Sequence, residues 1–159
     1  MANVEPVRDQ ILDAIVEKYR NMAPTRAWGG QYPAPPRVTR QWFPLGLDGT
    51  EFPGLIVAAG SGSTLPLVDV GGASSARFTH LFRVTVWGYV KGDDTTIAVR
   101  WLQRLQADVI LELLADQSLG GLCREIQVEQ DQTDDGIAEP LGGFAQTFLV
   151  LADEQLPVG

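Results

Sequence analysis

Between residues 6 and 22, apolar side chains fall at every fourth position, Val7, Ile11, Ile15 and Tyr19, with Arg8, Asp9, Asp13, Glu17 and Lys18 between them. That period predicts a helix with one stripe to bury, and Pro6 suits its start, where a missing amide loses no partner. Pro24 ends the pattern. Residues 24–52 then carry Pro33, Pro35, Pro36 and Pro44 beside Gly29, Gly30, Gly46 and Gly49, with Trp28, Tyr32, Trp42 and Phe43 among them. The composition predicts an extended arm or long loop of the same domain, because four large aromatics need something to cover them. A short strand fits residues 37–43.

The runs GLIVAA (54–59) and LPLVDV (65–70) flank GSGST, which reads most simply as a hairpin of two short strands. The strongest strand pattern covers residues 77–90. Its even positions Phe78, Phe82, Val84, Val86 and Val90 form an apolar row, so one face is expected to pack on the core. The odd positions are mixed, with Thr79, Arg83 and Thr85 on the same side as Leu81, Trp87 and Tyr89. Aromatics beside an arginine on a sheet face mark an interface. Such a patch is covered either by the proline-rich arm folding back or by another molecule.

A second helix is expected over residues 95–115, burying Ala98, Trp101, Leu102, Leu105, Val109 and Leu113 and stopped by Ser118, Gly120 and Gly121. LCREIQVE then alternates Leu122, Ile126 and Val128 against Cys123, Glu125, Gln127 and Glu129, as a strand does. The acidic stretch QDQTDDG, with Asp131, Asp134 and Asp135, is expected to be a loop leading to the last strand, GGFAQTFLVLAD, whose apolar residues on both faces suit a central position. The order predicts one α+β domain over residues 1–159, an antiparallel sheet of about four main strands with two helices on one face, plus the arm and the hairpin.

Composition narrows the function. A chain of 159 residues is long enough to bury roughly two-thirds of its unfolded surface in one core, and 45% apolar with 20% charged residues belongs to a folded protein. A net charge of -8 gives no electrostatic reason to hold a phosphate backbone, which disfavours tight nucleic-acid binding. The single cysteine, Cys123, is expected to be a buried or half-buried structural thiol. No basic-then-apolar leader opens the chain and no apolar run reaches the length of a membrane span, so no membrane contact is expected and synthesis in a cytoplasm is.

Asp93 and Asp94 join the long strand to the second helix. An aspartate there accepts a hydrogen bond from an unpaired amide and its charge complements the helix dipole, so N-capping is the expected role. A metal site would need further converging ligands that no spacing supplies. GSGST lacks the helix and the Lys-Ser/Thr pair of a phosphate loop. His80, the only histidine, could make a triad with Asp69 and one of Ser61, Ser63, Ser74 or Ser75, but no nucleophile elbow accompanies it, and a hydrogen-bonded core or edge histidine is expected. No catalytic residue, metal or cofactor is expected, and the chain reads as a non-enzyme.

The N-terminal helix VRDQILDAIVEKYRNM, the long strand FRVTVWGYVKGDD running straight into TTIAVRWLQRLQADVILELLADQSLGG, and then IQVEQDQTDDG and GGFAQTFLVLAD, resemble tail terminator and tail completion proteins of long-tailed bacteriophages. The likeness covers most of the chain outside the arm. It implies a structural virion protein: a small α+β subunit in a six-membered ring at the head-proximal end of the tail tube, stopping tube growth and joining the head. The implied partners are other copies of the chain, the tube protein, neck or connector proteins and a sheath where one is present. DNA would pass through without specific binding, past acids such as Asp131, Asp134 and Asp135. The family brings no catalytic residues; the interface candidates Leu81, Arg83, Trp87, Tyr89, Trp28, Tyr32 and Trp42 come from the sheet-face and arm patterns. Three other readings remain open: a different head-to-tail connector or neck protein, a small-molecule-binding or enzymatic α+β domain, and a simple homodimer through the odd face of the long strand.

Overall fold

The computed structural model of the chain describes residues 5–22, 37–40, 54–66, 75–91, 95–138 and 141–157. In chain order the elements are α1 (Val7–Arg20), β1 (Arg37–Arg40), β2 (Gly54–Pro66), β3 (Ser75–Lys91), α2 (Thr95–Leu114), β4 (Glu125–Ala138) and β5 (Leu141–Pro157). The strands form one sheet in the order β1-β2-β3-β5-β4. β3 and β5 pair antiparallel along their whole length, from Ser75 opposite Pro157 to Lys91 opposite Leu141. The fold is α+β, with two helices on a five-stranded sheet. The sheet is mixed and not purely antiparallel, because residues 37–40 add to β2 in parallel.

Both helices lie on the same side of the sheet. The even row of β3, Phe82, Val84, Val86 and Val90, joins Phe144, Phe148 and Val150 of β5, Leu55 and Val57 of β2 and the apolar stripes of both helices in one buried cluster. α1 buries Val7, Ile11, Leu12, Ile15, Val16 and Tyr19, a wider stripe than every fourth residue. In α2, Leu102, Leu105, Val109 and Leu113 are sealed completely. Tyr19 ties the two helices together by donating its hydroxyl to the carbonyl of Val109 at 3.0 Å. Its phenol is raised well above its ordinary pKa, first by burial and then by the charge of Glu112. Arg40 clips the short β1 to α1 through ion pairs to Asp9 and Asp13.

Four expectations change. GSGST is not a hairpin turn, since β2 runs through it and pairs with β3 from Gly54 opposite Tyr89 to Pro66 opposite Phe78. Between Ala59 and Gly62 the register shifts, and there a Cβ on Gly62 would come within 2.5 Å of the Cβ of Phe82. The glycines thus serve a bulge with close backbone approach, which shares its composition with a turn. The acidic stretch read as a loop is mostly strand, with Asp131 opposite Gln146 and Asp134 opposite Gly143. Cys123 precedes the strand and points inward with Ile126, while Val128, at the sheet edge, is 42% exposed. The cause is the turn after α2, in which Leu119, Gly120 and Gly121 take φ values of 50°, 68° and 95° and so reset the phase of the chain before β4 begins. Most of the arm at 24–52, including Trp28, Tyr32 and Trp42, lies outside the described residues, as do Asp93 and Asp94.

Cys123 donates to the carbonyl of Gln117 at 3.3 Å, and burial pushes its thiol pKa up to about 11. An unfolded thiol ionises at roughly pH 8.5, so the stability owed to this group is whole below that value and is lost as pH rises to about 11. Tyr19, also raised, adds to the loss above roughly pH 10. The expected result is a free energy of unfolding that declines over this alkaline window. A thiol reagent at pH 8 should modify Cys123 slowly in the native protein and at once in urea. Equal rates in the two conditions would contradict the burial.

Candidate functional site

The side of the sheet turned away from the helices carries the candidate surface. Leu81, Arg83, Thr85, Trp87 and Tyr89 all point there, since they alternate with the buried row of β3. The register brings β5 residues beside them: Leu81 stands opposite Leu151, Arg83 opposite Leu149, and Trp87 opposite Ala145. Leu81 is 37% exposed, and Leu149 and Leu151 are half-buried with no helix above them. An apolar ridge therefore crosses the two central strands. Leu149 and Leu151 were not identified from sequence, because the strand FLVLAD is apolar on both faces and only its register with β3 says which face each residue joins.

Trp87 and Tyr89 are half-buried. Tyr89 lies between Gly54 on β2 and Gly143 on β5, and a Cβ on Gly143 would sit 3.4 Å from its ring, so the ring reclines over a neighbour with no side chain. Burial raises its phenol pKa. Beside Trp87, Ile56 is completely buried although it is not part of the helix-side core. Ile56 is thus closed off on this side, whereas among the described residues no helix covers the β3-β5-β4 part of the face.

Arg83 is not a free cation. Its Nε donates to Glu129 Oε2 at 2.8 Å and its Nη2 to Glu129 Oε1 at 2.9 Å. This fork spans β5, reaching from β3 to the edge strand β4. The bulge between Val128 and Gln130 supplies the geometry by adding Glu129 as an extra residue on the outer side. The hydrogen bonds to Glu129, then its charge, raise the guanidinium pKa further. Alongside run Thr85 and Thr147, their hydroxyls 3.2 Å apart, and Thr79, which donates to Asp153 at 2.9 Å while Arg124 pairs with the same carboxylate. Most of the polar groups around the ridge are in closed pairs, which leaves its leucines and aromatics as the groups available to a partner. Asp131, Asp134 and Asp135 lie on β4, at the edge of the sheet and not in a separate loop.

His80 sits on the opposite, helix-covered side and is 8% exposed. Its Nε2 is 2.8 Å from Glu154 Oε1, and Glu154 Oε2 accepts the amide of Val7 at 2.6 Å. Pro6 offers no side-chain cap to α1, so a carboxylate from β5 fills that role and fixes the helix start on the sheet. Among the described residues His80 pairs with Glu154; Asp69, which a triad would need, lies outside them. Removing the carboxylate with Glu154→Ala is expected to destabilise the protein by about 1–3 kcal/mol, whereas exposed Glu125→Ala should change stability by less than about 0.5 kcal/mol. Urea unfolding of both variants checks this, and equal midpoints would show that the cap is dispensable.

Among the described residues there is no group of three or more His, Cys, Asp or Glu side chains placed to hold a metal ion, and no helix long and apolar enough to cross a membrane. The concavities found are shallow, and one of them, lined by Arg77, Arg124, Asp153, Glu154 and Gln155, holds the closed pairs already described. Scanned against protein-family models and against curated protein sequences, the chain gives no match in either comparison.

Proposed function

We propose that this chain is a structural subunit of the tail-terminator type, which forms a ring of six copies on the head-proximal end of a phage tail tube, halts tube growth and presents a surface for head joining. The proposal assigns the outer sheet face, Leu81, Leu149, Leu151, Trp87 and Tyr89, to contact with the tube. The observation that carries it is the inequality of the two sheet faces among the described residues: one is sealed by both helices, and the other has no helix layer while holding leucines and aromatics whose polar neighbours are already paired. A face of that kind gains free energy by burial against a partner and has little left to do chemically. The order of elements, with a long strand running into a long helix, supports the same reading by resemblance.

Activity by docking and not by bond-breaking is part of the proposal, as is the passage of DNA through a ring of acidic subunits, each of net charge -8, that repel it. The test is imaging of purified tail tubes mixed with gold-labelled chain, with filled heads as the comparison. Label at one end of each tube, and none on heads alone, is the expected result. Label on heads without tubes would favour a neck or connector role, and label on neither would remove the assignment.

A further inference from the structure

α2 carries a second surface that the sheet does not use. Leu102, Leu105, Val109 and Leu113 face the sheet and are fully buried. At 3.6 residues per turn, the side directly opposite holds Arg100, Arg104, Ala107, Leu111 and Leu114, spaced alternately by four and three. Leu111 is 50% and Leu114 38% exposed. Arg100, Gln103, Arg104 and Ala107 line a shallow concavity of about 430 Å³. Neither arginine enters any of the ion pairs found among the described residues. A helix back with two large exposed leucines and two unpaired arginines has the composition of an interface, and its positive charge is a local exception in a chain of net charge -8.

We infer that this stripe docks on the edge strand β4 of a second copy of the chain. Among the described residues β4 pairs only with β5, which leaves its other edge without a strand. Along it the sequence places Glu125, Asp131, Asp134 and Asp135, with Val128 42% exposed, while Glu129 is held by Arg83 of the same chain. The match is therefore double, leucines to an exposed valine and arginines to an acid-rich strand. Without such a contact, copies of an acidic chain repel one another. The helix back points away from the sheet, whereas the strand edge points along the sheet plane. The two surfaces differ, so a copy that uses its stripe on one neighbour and its edge on another makes a head-to-tail contact, the kind that closes into a ring. The inference rests on the proposed ring for its number of copies, and it leaves the outer sheet face to the tube.

Sedimentation of the free protein over a range of concentrations, without tubes, tests it. The wild-type chain is expected to self-associate more strongly at low salt than at high salt. Arg100→Glu with Arg104→Glu should weaken association about tenfold or more, as should Glu125→Lys with Asp131→Lys. An equimolar mixture of these two charge-reversed proteins should recover it, since each then offers the complement of the other. Circular dichroism checks that the variants are folded, and the uncharged Leu111→Ser should lose association in the same way. A wild-type chain that stays single at every concentration, a stripe variant that assembles like wild type, or a mixture that fails to recover would each overturn the inference. Because tubes are absent, failure to cap a tube and failure of this contact are read separately.

Discussion

Phe148→Ala is expected to lower the stability of the protein by about 3–5 kcal/mol, enough to remove much of a typical domain's 5–15 kcal/mol. Phe148 is completely buried on β5, the strand that lies between β3 and β4. It stands opposite Val84 on one side and Val128 on the other, under the helices. Truncation removes the ring's transfer free energy and leaves a void that two paired strands cannot collapse to fill. At this chain length the melting temperature should fall by roughly 6–20 °C. Phe78→Ala, at a half-buried position near the end of β3, should cost clearly less. Equal losses at the two sites would mean that the core is not centred where the helices cross the middle strands.

The second large effect concerns the outer face. Leu81→Asp combined with Trp87→Ala should reduce capture on tail tubes by about 30- to 1,000-fold, the range for losing two to four kcal/mol at the centre of an interface. The Leu81→Asp change alone should leave stability within about 0.5 kcal/mol, because its side chain is 37% exposed. Arg83→Ala is expected to act differently. Its guanidinium is already bound in a fork to Glu129, so its loss should affect tube capture only weakly. A strong effect of Arg83→Ala with none from Leu81 and Trp87 would reverse the assignment of apolar and polar roles on this face.

What the sequence disclosed and what it hid follow from the range of the interactions involved. The stripes of α1 and α2 and the alternation of β3 are local periodicities, and most of each is buried where the pattern put it, with Trp101 and Phe78 only half-buried. The features missed are set by distant partners. Glycines 60 and 62 look like a turn until Arg83 and Phe82 are known to press against them from the neighbouring strand. Gly88 shows the same logic, since it stands opposite Phe144 and a Cβ there would be 2.1 Å from that ring. Nothing near Val7 announces that its amide is held by Glu154, 147 residues away.

The acidic stretch before β5 was misread for a related reason. Charge and polarity suggest a loop, but an edge strand also accommodates carboxylates, whose charges discourage stray strand pairing. Likewise Glu129 is brought to Arg83 by a bulge that alternation alone cannot reveal. On the outer face, Leu81 and Trp87 were legible because Arg83 and the threonines made their side of the strand distinct. Leu149 and Leu151 were not, for want of any such contrast in β5.

The most direct test of the central proposal, that the helix-free sheet face is a docking surface for a phage tube, is native mass determination of the protein with and without purified tubes, followed by imaging of where it sits. The expected outcome is a six-copy ring on one end of each tube, lost when Leu81 and Trp87 are replaced together. A single subunit that never associates with a tube, whatever its concentration, would contradict it.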